Sequence, residues 1–162
     1  MFTTQLASMY AKRILSNPVT KRDKIILIKR SSTDDPFEKV RYFFNHDSIL
    51  AMLQEEGQKH GLEVFVFRDD PIPPFNVTQE MFNRAFMVVA VHGAGMTNII
   101  HTQPGSVLIE AVCYKLDHGI VLAYSILAQL LGLRYHAPFY REGCNHLTAE
   151  QLRQQVNNFF EN

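Results

Sequence analysis

The sequence predicts an α/β fold, a parallel β-sheet covered by helices on both faces. Short apolar runs at 24–30, 62–67, 86–91 and 106–112, bounded by turn residues, read as strands buried on both sides. The stretches between them carry apolar residues at helical spacing, and strands separated by helices close as parallel crossovers. At 162 residues the chain is long enough for one domain with a core of its own, and 1–162 is read as that single domain.

Residues 4–15 form a leading helix with Leu6, Met9, Tyr10 and Ile14 on one side, ended by the breaker Asn17-Pro18. The first strand, 24–30, is followed by a polar loop at 31–36. Asp47 or Ser48 then caps a helix to about Lys59, with Ile49, Leu50, Met52 and Leu53 inward and Gly61 closing it. After the second strand, 62–67, the Pro-rich 70–74 is loop, and Thr78 caps a helix over 78–85 with Met81 and Phe82 inward. The third strand, 86–91, meets a glycine turn and a short helix to about His101. A fourth strand at 106–112, an apolar helix at 119–131 ended by Gly132, and a short strand at 134–137 follow. Thr148 opens a last amphipathic helix with Leu152, Val156, Phe159 and Phe160 on one side.

The third strand carries the most information. Phe86-Met87-Val88-Val89-Ala90-Val91 stops at His92-Gly93-Ala94-Gly95, then resumes at Met96 as residues able to start a helix. Gly93 and Gly95 permit a tight turn and close approach by a ligand. A helix starting near Met96 aims free amide N–H groups and its positive dipole end at that spot, which suits a phosphate. In parallel α/β folds ligands sit outside the carboxyl ends of the strands. That rule selects Arg30 after the first strand, His92 and its glycines after the third, and Glu110 closing the fourth. A guanidinium grips phosphate oxygens in a fork, the turn amides hold the same group, and Glu110 is placed to accept two hydrogen bonds from a ribose diol. Each residue also has a structural reading: a solvated strand end for Arg30, an ordinary strand-to-helix turn for the glycines, and a ring bonded to a carbonyl for His92. Glu110 interrupts an apolar run and needs a partner in either reading.

Composition narrows the classes. Sixteen Lys and Arg balance sixteen Asp and Glu, so no bulk field gathers nucleic acid or an anionic membrane. No apolar run approaches a membrane span, and the amino terminus lacks a signal-peptide layout. Cys113 and Cys144 make no disulfide framework and are read as free and half-buried. The histidines, His92 apart, are His46, His60, His101, His118, His136 and His146; they show no short metal-ligand spacing, so no structural metal is expected. Asn76-Val77-Thr78 fits the N-glycosylation acceptor triplet.

Three other chemistries fit less well. A dinucleotide-binding dehydrogenase is mimicked by Gly93, Gly95 and Glu110, but Asn98 stands at the third glycine's place and the motif follows two earlier strands. An esterase lacks its G-x-S-x-G elbow, and a phosphate-loop NTPase lacks G-x-x-x-x-G-K-[ST].

The stretch Val89-Ala90-Val91-His92-Gly93-Ala94-Gly95-Met96-Thr97-Asn98-Ile99-Ile100, followed by Pro104-Gly105-Ser106-Val107-Leu108-Ile109-Glu110, closely resembles the signature of glycosyltransferase family 61. Ile28-Lys29-Arg30 is similar to the family's strand-terminal arginine, Arg41 and Asn45 to its following Arg and Asn elements, and 128–135 to its last helix-to-strand passage. The resemblance implies a Rossmann-like three-layer fold like the C-terminal, donor-binding half of a two-domain GT-B enzyme, with 1–20 as the linker into it. It implies inverting transfer of a sugar from a nucleotide donor, usually a UDP-sugar, to a protein or glycan hydroxyl in the lumen of the endoplasmic reticulum or Golgi. No cofactor and no catalytic metal are implied. Carried over by position, Arg30 and the turn of Gly93, Ala94 and Gly95 hold the diphosphate, and Glu110 holds the ribose. Thr97 and Asn98 offer donors at the helix start. His92 and His118 line the cleft, and His92 is the one candidate for a catalytic role. The acceptor side and its base belong to a second half, supplied by an N-terminal segment or another copy; Asp69 and Asp70 are base candidates within this chain. A non-catalytic nucleotide-binding module and an NAD-type domain are the alternatives.

Overall fold

The computed structural model describes residues 21–30, 43–113, 123–140 and 147–161. The expected helix at 4–15, the loop at 31–36, and Arg41, His118, Cys144 and His146 fall outside them, as does the side chain of Cys113.

The elements are β1 (Lys24–Lys29), α1 (His46–Lys59), β2 (Glu63–Arg68), α2 (Phe75–Asn83), β3 (Ala85–Val91), a 3₁₀ helix (Ala94–His101), β4 (Val107–Cys113), α3 (Ala123–Leu131), β5 (Arg134–His136), β6 (Phe139–Tyr140) and α4 (Ala149–Asn157). The strands pair in the order β2-β1-β3-β4-β5, all parallel. The two residues of β6, too few to show a period in sequence, pair with Val112 and Cys113 at the end of β4. This is the expected three-layer, Rossmann-like α/β sheet.

Strand pleating sorts the core into two layers. Odd-numbered strand residues (Ile25, Leu27, Met87, Val89, Ile109) pack with Ile49 and Leu53 of α1 and Leu152 and Val156 of α4. Even-numbered ones (Ile26, Ile28, Val88, Ala90, Leu108) pack with Phe82 of α2, Met96 and Ile99 of the 3₁₀ helix and Ala128 and Leu131 of α3. Both faces are therefore covered, which is why the strands read as continuous apolar runs rather than alternating ones.

The element starts differ from expectation in three places. α1 begins at His46 with Asn45 as its N-cap, so Asp47 lies inside the first turn, where a carboxylate still suits the helix dipole. α2 begins at Phe75, because Pro74, with φ of −51°, leads straight into it; Thr78 is buried within the helix and its hydroxyl donates to the Pro73 carbonyl at 3.4 Å. The helix after the glycine turn starts at Ala94 rather than Met96 and is 3₁₀, its Met96 N–H donating to the Gly93 carbonyl at 3.0 Å. α4 starts as expected, with Thr148 and Gln151 forming a reciprocal capping box. Gly61 and Gly132, at φ of 67° and 69°, close α1 and α3.

The chain runs outward from β1 to β2, returns across β1 to β3, and continues the other way through β4 and β5. Its direction reverses between β1 and β3, and in parallel α/β sheets a ligand lies beyond the carboxyl ends of the strands at such a reversal.

Candidate functional site

Arg30 leaves β1 and Gly93 follows β3, so both stand at that reversal point. They touch: a Cβ on Gly93 would fall 2.9 Å from Arg30 Nη1 and 3.3 Å from its Cδ. Gly93 has φ of 169°, extended backbone open to any residue, so close approach by the guanidinium is what requires glycine here. Gly95 does the same for the core, a Cβ there meeting Ile28 Cγ2 at 3.0 Å. The amides of Ala94 and Gly95 precede the first bond of the 3₁₀ helix, that of Met96. A cation and the start of a helical turn thus share one spot at the reversal, as an anion pocket requires. Tyr124 of α3 holds the turn from the other side, its hydroxyl donating to the Gly93 carbonyl at 2.7 Å.

Glu110 does not close its strand. It is the fourth residue of β4, which continues through Ala111, Val112 and Cys113 because these pair with β3 and β6. The carboxylate is consequently 1% exposed, one level below the sheet edge. Both oxygens are engaged: Oε1 with His92 Nδ1, and Oε2 by the Tyr135 hydroxyl at 2.6 Å. Burial and the adjacent carboxylate raise the Tyr135 phenol well above the usual tyrosine range, so it stays a donor. His92, its side chain 24% exposed, stands between this buried acid and the surface, with the Tyr124 ring edge-on to it at 5.2 Å. In this structure Glu110 anchors a histidine, with both carboxylate oxygens bonded within the protein.

Other sequence candidates are placed as follows. Ala94 and Thr97 are exposed on the 3₁₀ helix. The Asn98 side chain donates back to the Gly95 carbonyl at 3.0 Å and so braces the turn. Asn45 donates to the Leu147 carbonyl at 3.4 Å, tying the start of α1 to the segment before α4. Asp69 and Asp70 follow the edge strand β2, one strand beyond β1. Asn76 is exposed in the first turn of α2. No group of three His, Cys, Asp or Glu able to hold a metal ion occurs among the described residues, and no helix among them is long and apolar enough to cross a membrane.

Two site residues escape the sequence reading. Tyr124 lies in an apolar helix and Tyr135 in a short strand, and each has the spacing of an ordinary core aromatic. Their hydroxyls acquire meaning only from the tertiary pairing that sets Tyr135 beside Leu108, two residues from Glu110.

The glycosyltransferase 61 family profile matches residues 1–109, about two-thirds of the chain, which takes in β3, the His-Gly-Ala-Gly turn and the start of β4 and ends one residue before Glu110. The chain belongs to glycosyltransferase family 61. Among curated relatives, it is 27% identical over 124 residues to the xylan glycosyltransferase MUCI21 of Arabidopsis thaliana, covering 76% of this chain and 23% of that protein. It is 29% identical over 115 residues to the alpha-1,3-arabinosyltransferase XAT3 of Oryza sativa subsp. japonica, covering 70% and 18%. As a family 61 chain, it spans less than a quarter of the length of either relative.

Proposed function

We propose that this domain binds the nucleotide-sugar donor, a UDP-sugar, in a family 61 glycosyltransferase of GT-B architecture that inverts the anomeric centre. The observation that carries the reading is the Arg30 guanidinium lying against Gly93 at the β1/β3 reversal, where helix-start amides also gather. That combination suits a diphosphate. Family membership and two relatives with glycosyl-transfer names point to a sugar attached to it.

In the transfer, an acceptor hydroxyl oxygen bonds to the anomeric carbon from the face opposite the diphosphate. The bond to the diphosphate oxygen breaks, its electron pair leaves with UDP, and the hydroxyl proton passes to a base on the acceptor side. Both relatives are several times longer than the matched span, so donor binding is assigned to this domain and transfer to an assembly that includes an acceptor-binding half. A dinucleotide dehydrogenase is disfavoured because the glycine turn follows β3 instead of β1. The proposal includes a lumenal site in the endoplasmic reticulum or Golgi and metal-independent binding, both supported by the family resemblance. Occupancy of Asn76, read as a glycosidase-sensitive mobility shift, would report that compartment.

Thermal unfolding with UDP and, separately, NAD tests the reading. Saturable stabilisation by UDP in the presence of a chelator, with none by NAD, is expected from linkage. No shift at millimolar UDP would sink it.

A further inference from the structure

The chain from Tyr135 through Glu110 to His92 ends at the rim of the anion pocket, and donor binding as proposed above leaves it without a role. Glu110 is 1% exposed and both its oxygens are bonded, by His92 Nδ1 on one side and the Tyr135 hydroxyl on the other. A buried carboxylate that only filled a core would be a costly device there. This one fixes a ring whose side chain reaches the surface. A carboxylate bonded to one imidazole nitrogen sets the ring's orientation and keeps a proton on that nitrogen, which leaves Nε2 to face what lies beyond.

Directly after His92 in the chain come Gly93, against which the Arg30 guanidinium lies, and the amides of Ala94 and Gly95, all of which attract an anion. An imidazole nitrogen among such groups contributes by donating. We infer that Glu110 is a positioning residue for His92: its carboxylate, bonded at Nδ1, fixes the ring so that Nε2 is offered to a diphosphate oxygen of the donor. Glu110 thus acts on the ligand through His92, and the recognised group is the diphosphate rather than the ribose. This rests on the donor-binding reading. Among the described residues, the titratable groups against His92 are Glu110 from β4 and Tyr124 from α3 with its ring edge, with Tyr135 of β5 bonded to Glu110 behind it and Arg30 against the adjacent Gly93. Burial raises Tyr135, so its hydroxyl remains a donor across the histidine range.

The inference makes a prediction of sign. If Glu110 acted on the anion through space, removing its negative charge would tighten binding. If it acts through His92, Glu110→Gln should weaken binding by about ten- to hundred-fold, the effect of losing a hydrogen bond to a charged group. The test is calorimetric titration of the full chain with UDP-glucose from pH 5.5 to 8.5. A UDP-sugar is the probe because its diphosphate keeps a constant charge, whereas a terminal phosphate titrates near pH ~6. Across this range Glu110→Gln and His92→Gln are each expected to bind about tenfold or more weakly than wild type, and the double variant no more weakly than His92→Gln alone. Unchanged or tighter binding by Glu110→Gln, wild-type affinity in His92→Gln, or a double variant weaker than His92→Gln overturns the relay. Ring-nitrogen NMR of the ligand-free wild type, with His92 assigned from His92→Gln, needs neither ligand nor a folded Glu110 variant. A proton on Nδ1 supports the arrangement and a bare Nδ1 overturns it. If the wild type binds no UDP-glucose, the donor reading fails, and the Glu110–His92 bond is judged by the NMR result alone.

Discussion

A Cβ at Gly93 would meet the far end of a flexible arginine, whereas one at Gly95 would meet Cγ2 of the buried Ile28. The two glycines therefore fail differently. Gly93→Ala lets Arg30 swing aside, and alanine also narrows the unfolded chain, so folding stability should change by about 0.5 kcal/mol or less. The displaced guanidinium should cost UDP affinity about tenfold or more, the size of one charge-assisted hydrogen bond. Gly95→Ala presses on a packed branched side chain and should destabilise by about 1–3 kcal/mol. Urea unfolding and calorimetric titration on both variants separate the effects; a Gly93→Ala protein that is unstable yet binds normally would make Gly93 a turn residue only. Arg30, His92 and Gly93 were legible because strand ends can be read from where apolar runs stop. Glu110 was half legible: a lone acid in the run of β4 announced a partner, but not that the partner was His92. The expected strand, 106–112, already ran two residues past Glu110, and the pairing of Ala111, Val112 and Cys113 buries it below the edge.

Helices α1 and α4 share the odd-numbered face of the sheet, and charge as well as apolar packing joins them. Arg153 of α4 reaches Glu56 through Nη1 and Glu55 through Nη2 at 2.8 Å, while Lys59 holds Glu55 at 3.1 Å and Glu56 at 3.0 Å. Glu56 is 3% exposed, so this is a partly buried network rather than a surface pair. Hydrogen bonds from Arg153 and Lys59 draw the Glu55 carboxyl down from 4.5 to about 2. A group whose folded value lies below its unfolded one binds protons more readily in the unfolded chain. Its contribution is complete above pH 4.5 and is lost as pH falls toward about 2. Asp23, lowered chiefly by its hydrogen bond from Arg84, adds to the same acid slope. The urea midpoint of the wild type should fall across this window. Arg153→Ala should start lower at neutral pH and fall less steeply, because Asp23 still titrates in it; an unchanged slope would exclude Glu55 as a contributor. The sequence showed the start of α4 through Thr148, and Thr148→Ala should cost about 1 kcal/mol. It could not show the cross-helix network, since Glu55 and Arg153 are 98 residues apart and meet only once both helices lie on one sheet face.

Along the described strands β1 to β5 the direction of progression reverses once, and the order β2-β1-β3-β4-β5 puts that reversal between β1 and β3. That order was not written in the alternation of strands and helices, which gives the class of sheet but not the neighbours within it. The rule that ligands lie beyond the carboxyl ends holds for any order, so Arg30 and Gly93 were singled out before β1 and β3 were known to be neighbours. A rival positive region sits on the other side of the sheet. Lys29 and Arg68 are register partners at the ends of β1 and β2, and both charges act on the buried His46 at the start of α1. Burial holds the His46 ring below its usual range, against an opposing hydrogen bond to Asp47 and with a smaller contribution from these charges, which makes the ring a poor anion donor. Hydrogen exchange with and without saturating UDP distinguishes the two regions. Binding at the reversal should protect the amides of Ala94 and Gly95 and slow exchange around Arg30, while the opposite ends of β1 and β3, at Lys24 and Ala85, stay unchanged. Protection at His46 and Asp47 with none at Ala94 or Gly95 would move the nucleotide to the β1/β2 side and leave the glycine turn as a structural corner.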